Sequence, residues 1–212
     1  MPGRNVAIHC MDVPMQKGKH GFIGLFDFPG EIIRLFQKYG FIQHSRVTIW
    51  KDPVVEMQRT KALGLLHKQV KKDSVMSRQG LPDYVIVMRN VGENETQIKC
   101  DIDVNTWQKY ASPVWHDINY GDTLNRSGAK EDKDEKHLTP LQLQTIHRCI
   151  KLWSNHGEIV FDPFMGIGST GYEAIKLDRK ALGIELKESY FDMALKYLLN
   201  AEKENSQSGL FA

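Results

Sequence analysis

No two of the eight prolines are adjacent, the three cysteines form no Cys-x-x-C pair, and no lysine directly follows the chain's one glycine-rich turn. No apolar run approaches the roughly 20 residues needed to cross a bilayer either. Each absence excludes something. Cys10, Cys100 and Cys149 lie too far apart in sequence to suggest a disulfide framework or a zinc site, so a reducing cytosol is the natural compartment and no metal is expected. The N-terminal stretch MPGRNVAIHC lacks the layout of a signal peptide. With 28 basic against 26 acidic side chains, net charge is close to neutral, and any nucleic-acid surface must be a local patch. The 212 residues can bury a sizeable core, which predicts a single domain over 1–212, with or without insertions.

What is present centres on residues 157–185. A short apolar run, Ile159 to Phe161, ends at Asp162-Pro163 and opens into Gly166-Ile167-Gly168-Ser169-Thr170. A helical pattern follows, and a second apolar strand closes on Glu185. Strand, glycine turn, helix and parallel strand make the minimal nucleotide-binding unit. Glycines at 166 and 168 allow a sharp bend and a close approach to a ligand. An acid roughly 20 positions beyond such a turn suits a ribose diol, because a carboxylate accepts two hydroxyl hydrogen bonds. Without the lysine of a phosphate loop, and with the third dinucleotide glycine out of register, a triphosphate is disfavoured and a dinucleotide is less expected.

Elsewhere the pattern predicts strands at 5–10, 41–50 and 82–89, the last apolar enough to be buried on both faces. A loop is expected over 12–28, and a helix over 31–39 that stops at Gly40. Residues 54–80 read as helical, with Leu63, Leu66 and Val70 recurring on one face, and their charges are mostly basic. That insertion is either a solvated face or a phosphate-contacting patch. Residues 90–136 form a variable insertion, a further candidate for DNA recognition, whose charged run 125–136 reads as a mobile, solvated loop. Its Trp107, Tyr110, Trp115 and Tyr120 could stack on an unstacked base or pack against the domain. A helix over 137–153 should start with Thr139 as N-cap and Pro140 at its first position, an amphipathic helix covers 189–200, and 206–212 form a frayed tail.

His137-Leu-Thr-Pro-Leu-Gln142, Asp162-Pro-Phe-Met-Gly-Ile-Gly-Ser-Thr170 and Gly183-Ile-Glu185 followed by Ser189-Tyr-Phe-Asp-Met-Ala194 resemble the C-terminal half of the amino-group DNA methyltransferases. These are S-adenosylmethionine-dependent enzymes acting on adenine N6 or cytosine N4, here in the permuted, phage-type order with the cofactor motif last. The resemblance implies a Rossmann-like α/β sheet with helices on both faces. It also implies that Asp162, Phe164, Gly166, Gly168, Ser169 and Thr170 line S-adenosylmethionine, that Glu185 takes its ribose hydroxyls, and that the turn at Leu138, Thr139 and Pro140 closes over it. The ligand has no phosphates, and its sulfonium and ammonium favour nearby carboxylates.

The family's catalytic tetrapeptide, Asp/Ser/Asn-Pro-Pro-aromatic, is missing. Ser112-Pro113-Val114-Trp115 is the nearest candidate, with Ser112, Pro113 and Trp115 in matching roles, but it has one proline and follows the wrong strand. In the family's own sheet order, 3-2-1-4-5-7-6, strands 3 and 4 have no counterpart here. Together with a turn signal at Met1-Pro2-Gly3, this predicts the C-terminal portion of a split, truncated or partial gene product lacking its two N-terminal strands.

The leading expectation is a DNA methyltransferase in the cytoplasm of a bacterial or phage-infected host cell. Its partners would be DNA and a partner chain or N-terminal segment carrying the catalytic motif, with a homodimer as a further option and no membrane. The alternatives are a catalytically inactive remnant that binds cofactor or DNA, and a methyltransferase acting on something other than DNA, which the basic insertion disfavours.

Overall fold

The structure is a computed structural model that describes residues 1–15, 17–60, 63–124 and 140–208. The charged run 125–136, Leu138, Thr139 and the end of the tail lie outside the described residues. The chain forms two compact units, one of residues 1–96 with 111–117 and one of 97–110 with 118–212.

The first unit is built on a four-stranded sheet. Strand β1 (Asn5–Cys10) is followed by a short hairpin, β2 (Val13–Met15) and β3 (Gly24–Phe26), which encloses α1 (Lys17–His20). Helix α2 (Phe28–Lys38), strand β4 (Phe41–Ile49), helices α3 (Pro53–Thr60) and α4 (His67–Lys72), and strand β5 (Asp83–Asn90) complete its long run. Helix α5 (Val104–Tyr110) intervenes and belongs to the second unit, before strand β6 (Val114–Trp115) joins the sheet. The order is β1-β5-β4-β6, with β5 antiparallel to both neighbours and β6 parallel to β4.

Val85 to Met88 of β5 are almost wholly buried, as an apolar run between two paired strands should be. Ile86 and Met88 share one face with Cys10 and Ile33, where Ile32 and Phe36 of α2 pack on the sheet. Helix α2 starts where an acceptor precedes a proline: the Asp27 Oδ1 accepts from the Gly30 N–H at 2.8 Å. It ends at Gly40, whose φ of 85° suits the left-handed exit.

The insertion between β4 and β5 departs from the periodicity. In place of one helical face it holds α3, a 3-10 turn at Leu63–Leu65, α4, and a second 3-10 turn at Ser74–Met76. Leu66 and Asp73 adopt extended backbone and break the run, and Val70 is exposed. Leu66 and Val70 therefore do not continue one helical stripe. The basic count also shrinks, because Arg78 faces the buried Glu56, whose Oε2 accepts from the Leu81 N–H at 2.6 Å. Lys68, Lys71 and Lys72 remain exposed on and around α4.

The second unit holds α5, α6 (Leu143–Trp153), β7 (Ile159–Asp162), α7 (Ser169–Lys176), β8 (Lys180–Gly183) and α8 (Glu188–Ser208). Strands β7 and β8 are parallel, with Asp162 opposite Gly183. Val160 and Ala181 pack with Ile146, Ile150 and Ala174, whereas Ile159, Phe161, Leu182 and Ile184 stay exposed. Helix α6 begins later than the sequence pattern suggests. Gln142 is its N-cap, and the Leu143 N–H donates to the Asp122 carbonyl at 2.8 Å, so Pro140 lies outside the helix. Residues 97–101 run beside the end of α6, held by Asn155, Lys151 and His156.

The sheet orders match the resemblance where they can be compared. Strands β1, β5 and β4 reproduce the 5-7-6 order, and β7 with β8 reproduces the neighbouring 1 and 2. Among the described residues no strand pairs with β7 other than β8. No described helix is long and apolar enough to cross a membrane, and no described cluster of His, Cys, Asp or Glu could hold a metal.

Asp83 is 5% exposed and is held by Lys51 and by the His9 Nε2 at 3.3 Å. Burial alone would raise its carboxyl, but His9 and then Lys51 outweigh that and lower it below the usual range. A lowered folded-state value means stability that is present above the unfolded value near ~3.9 and is lost as pH falls through the folded one. Asp83→Asn should therefore lower the unfolding free energy by about 2–3 kcal/mol at neutral pH. In urea titrations the gap between the two proteins should close as pH drops below about 4.

Candidate functional site

The site is the end of the β7–β8 ribbon. Asp162 closes β7, and its Oδ1 accepts from the Phe164 N–H at 2.9 Å, which turns the chain away from the strand. Two backbone bonds lace that turn to the end of β8: Ile184 N–H to the Asp162 carbonyl and Met165 N–H to the Ile184 carbonyl, each 3.0 Å. Glu185 completes the lacing. Its Oε2 accepts from the Gly166 N–H at 2.8 Å and its Oε1 from the Lys187 N–H at 2.9 Å.

The two glycines do different work. A side chain on Gly166 would meet nothing within 4 Å, so the φ of 54° faces open space from which a ligand can reach the backbone. A Cβ on Gly168 would lie 2.9 Å from the Leu198 side chain and 3.0 Å from that of Ala194. Gly168, with φ of 90°, is thus needed for the close approach of α7 to α8. Ser169 is buried at the start of α7, and Thr170 is half-buried beside it.

Phe164 is 87% exposed and Leu186 96% exposed, so two apolar side chains stand open at the ends of the two strands. Pro140 is buried, while Leu138 and Thr139 fall outside the described residues. Sequence reasoning missed Met165, which packs where a Cβ on Gly183 would be only 2.4 Å from its sulfur. It also missed Arg179, buried and donating to the Leu177 and Ser154 carbonyls. The small residue preceding Ile184-Glu185 was the available signal for the first; nothing in the pattern announced the second.

Ser112 and Trp115 stand elsewhere, in the first unit. Trp115 is 1% exposed in β6, and the Ser112 hydroxyl is engaged with the backbone of Val114, donating to its carbonyl at 2.8 Å. A ring sealed in a core has no face to offer a base, so these residues close the sheet edge. Tyr110 lies under the Arg148 guanidinium at 4.9 Å, and Trp107 remains exposed.

A parallel strand–glycine turn–helix–strand unit with an acid at the second strand's tip is the unit of a Rossmann-like fold. The sequence matches the DNA methylase family, of the N6 and N4 methyltransferase type, over residues 7–196, and the chain belongs to that family. It is similar to the orphan methyltransferase M.BamHII of Bacillus amyloliquefaciens, at 50% identity over 63 residues, 30% of this chain and 23% of that protein. It is similar also to the DNA adenine methyltransferase YhdJ of Escherichia coli K12, at 42% identity over 67 residues, 32% of this chain and 23% of that one. The matched stretches thus span about a quarter of these relatives. Among solved structures the fold resembles TTHA0409 of Thermus thermophilus, assigned as a DNA modification methylase and complexed with S-adenosyl-L-methionine. The TM-score is 0.70 at 20% identity, covering 94% of this chain and 70% of that one. It also resembles the cytosine-N4-specific PvuII DNA methyltransferase, with a TM-score of 0.62 at 13% identity, covering 96% of this chain and 67% of that one.

Replacing each glycine by alanine separates the two roles. Gly168→Ala should lower stability by about 2–4 kcal/mol, from left-handed strain plus overpacking against α8. Gly166→Ala should cost about 1 kcal/mol, the strain alone. Urea unfolding midpoints of the two variants check this.

Proposed function

We propose that this chain is a DNA amino-methyltransferase polypeptide, transferring a methyl group from S-adenosylmethionine to adenine N6 or cytosine N4. The observation that carries the reading is Glu185, a half-buried carboxylate fixed by the Gly166 and Lys187 N–H groups beside an open glycine turn. Each oxygen accepts one backbone hydrogen bond and keeps a lone pair for a ribose hydroxyl. The open space over Gly166 and the uncovered Phe164 ring fit an unphosphorylated nucleoside with a methionine arm. In this reading Asp162, Phe164, Gly166, Ser169 and Thr170 border the methionine end and Glu185 takes the ribose. Gly168 sets the backbone of the turn from behind. Bound S-adenosylmethionine supplies an electrophilic methyl group on its sulfonium; the chain's own residues hold and orient that group.

Methyl transfer also needs a target nitrogen held in line with the methyl and a base out of its stack. No Pro-Pro motif exists in the sequence to do so, and Trp115 is committed to a core. We therefore assign the grip on the target amine to additional polypeptide, in a partner chain or a further segment. The exposed row Ile159, Phe161, Leu182 and Ile184 and the single-sided pairing of β7 support this, as does the 30% of the Thermus chain that has no counterpart here. Lys68, Lys71 and Lys72 are exposed cations of the insertion that suit DNA phosphates.

Titration calorimetry with S-adenosylmethionine tests the cofactor site. Wild type should bind, Asp162→Ala should bind weakly, and Glu185→Gln should lose about tenfold in affinity. Absence of heat with wild type overturns the assignment. Labelled-methyl transfer to unmethylated DNA tests the second part: the purified chain alone should incorporate no label, and incorporation would show that its own residues hold the target amine.

A further inference from the structure

The β2–β3 hairpin is read from sequence as a plain loop, and neither the cofactor site nor the basic insertion uses it. Its pairing is short, from Val13 with Phe26 to Met15 with Gly24, and among the described residues it joins no other sheet. Val13, Leu25 and Phe26 are exposed on it, and at its turn Phe22 and Ile23 are 57% and 56% exposed. An isolated two-stranded ribbon is marginal in water, and an aromatic and a β-branched residue side by side in solvent call for a partner.

Charge narrows the partner. Between Val13 and Phe26 the ionisable residues are Lys17, Lys19 and His20, with no acid among them. The acids at the base are Asp12 and Asp27, and Asp27 is engaged, capping α2 and lying 3.7 Å from Arg34. The tip is therefore apolar and purely basic. A DNA duplex opened at one base step presents phosphates to the cations and an apolar slot between bases to the side chains.

We infer that the hairpin is a DNA-contacting finger in which Phe22 and Ile23 form a wedge that enters the duplex as a base leaves its stack. The inference rests on the DNA methyltransferase reading, since a base can be methylated on its amino group only when it is out of the stack. Lys19 anchors the finger on a phosphate, and the wedge fills the gap that unstacking creates.

The test uses the full chain and two labelled duplexes of one mixed sequence, fully matched or carrying a single mismatch beside 2-aminopurine. Fluorescence anisotropy at low salt gives affinity, and 2-aminopurine emission reports unstacking. Wild type should prefer the mismatched duplex by about tenfold, because its unstacking is cheaper, and should brighten the probe. In Phe22→Ala/Ile23→Ala, with an unchanged circular dichroism spectrum, the preference and the brightening should both disappear. Lys19→Glu should weaken binding to both duplexes and flatten the salt dependence by about one phosphate contact. A double variant that keeps the preference, or a wild type that has none while still binding DNA, overturns the wedge and leaves the methyltransferase reading standing. A wild type that binds no DNA counts against both. Binding to phosphatidylserine vesicles without binding to DNA would reassign the finger to a lipid surface and overturn the proposal.

Discussion

The tie between the tip of β8 and the glycine turn is the constraint on which the candidate site depends. Glu185 accepts from the Gly166 and Lys187 N–H groups, and the Met165 and Ile184 amides close the same junction from the main chain. A turn with a glycine in the left-handed region is otherwise free to sample many conformations, and glycine gives up more entropy than other residues when fixed. Holding it with a carboxylate has a second effect. The same side chain that orders the turn keeps a lone pair on each oxygen, so in the proposed reading ordering and ligand recognition share one residue. Met165 below Gly183 and Leu198 beside Gly168 hold the turn from behind.

The first unit depends on a different constraint, the burial of β5. A strand paired on both sides leaves few backbone groups for water, and its apolar side chains then seek cover on each face; α2 provides it on one. Asp83 at the start of that strand is the exception to an apolar core, and it is tolerated because His9 from β1 and Lys51 after β4 reach it from both neighbouring strands. The ion cluster thereby links three successive strands of the sheet at one rim.

The sequence made visible what depends on local pattern. The buried run Tyr84 to Met88, the Asp27-Phe28-Pro29 start and Gly40 stop of α2, and the turn from Asp162 to Thr170 all state their geometry in adjacent residues. It misled where a pattern was real but tertiary demands won. Leu63, Leu66 and Val70 have helical spacing, yet extended backbone at Leu66 and Asp73 breaks the segment into single turns. Thr139-Pro140 is a good helix start by composition, but Pro140 is buried and the helix begins at Leu143, where Asp122 accepts from its first amide. The division of labour between Gly166 and Gly168 was out of reach, since it depends on Leu198 and Ala194, some 30 positions later in the chain. Trp115 resembled a base-stacking residue because burial is not written in a tetrapeptide.

In the proposed reading, cofactor binding and methyl transfer make physically separate demands on the chain. Most of the groups that would hold the cofactor lie between Asp162 and Glu185 and are tied to each other by hydrogen bonds, with Leu198 packed behind the turn. Gripping a target amine is a different demand, because a neutral nitrogen must be held by acceptors at hydrogen-bond distance and its ring by an apolar face. The apolar surface nearest that need, Phe164 and Leu186 with the row from Ile159 to Ile184, is exposed rather than shaped into a slot. Parallel ribbons are normally covered on both faces, and among the described residues β7–β8 is covered on one. In the proposed reading, additional polypeptide that covers this apolar face would also stand beside the candidate cofactor site, so one contact would serve both demands.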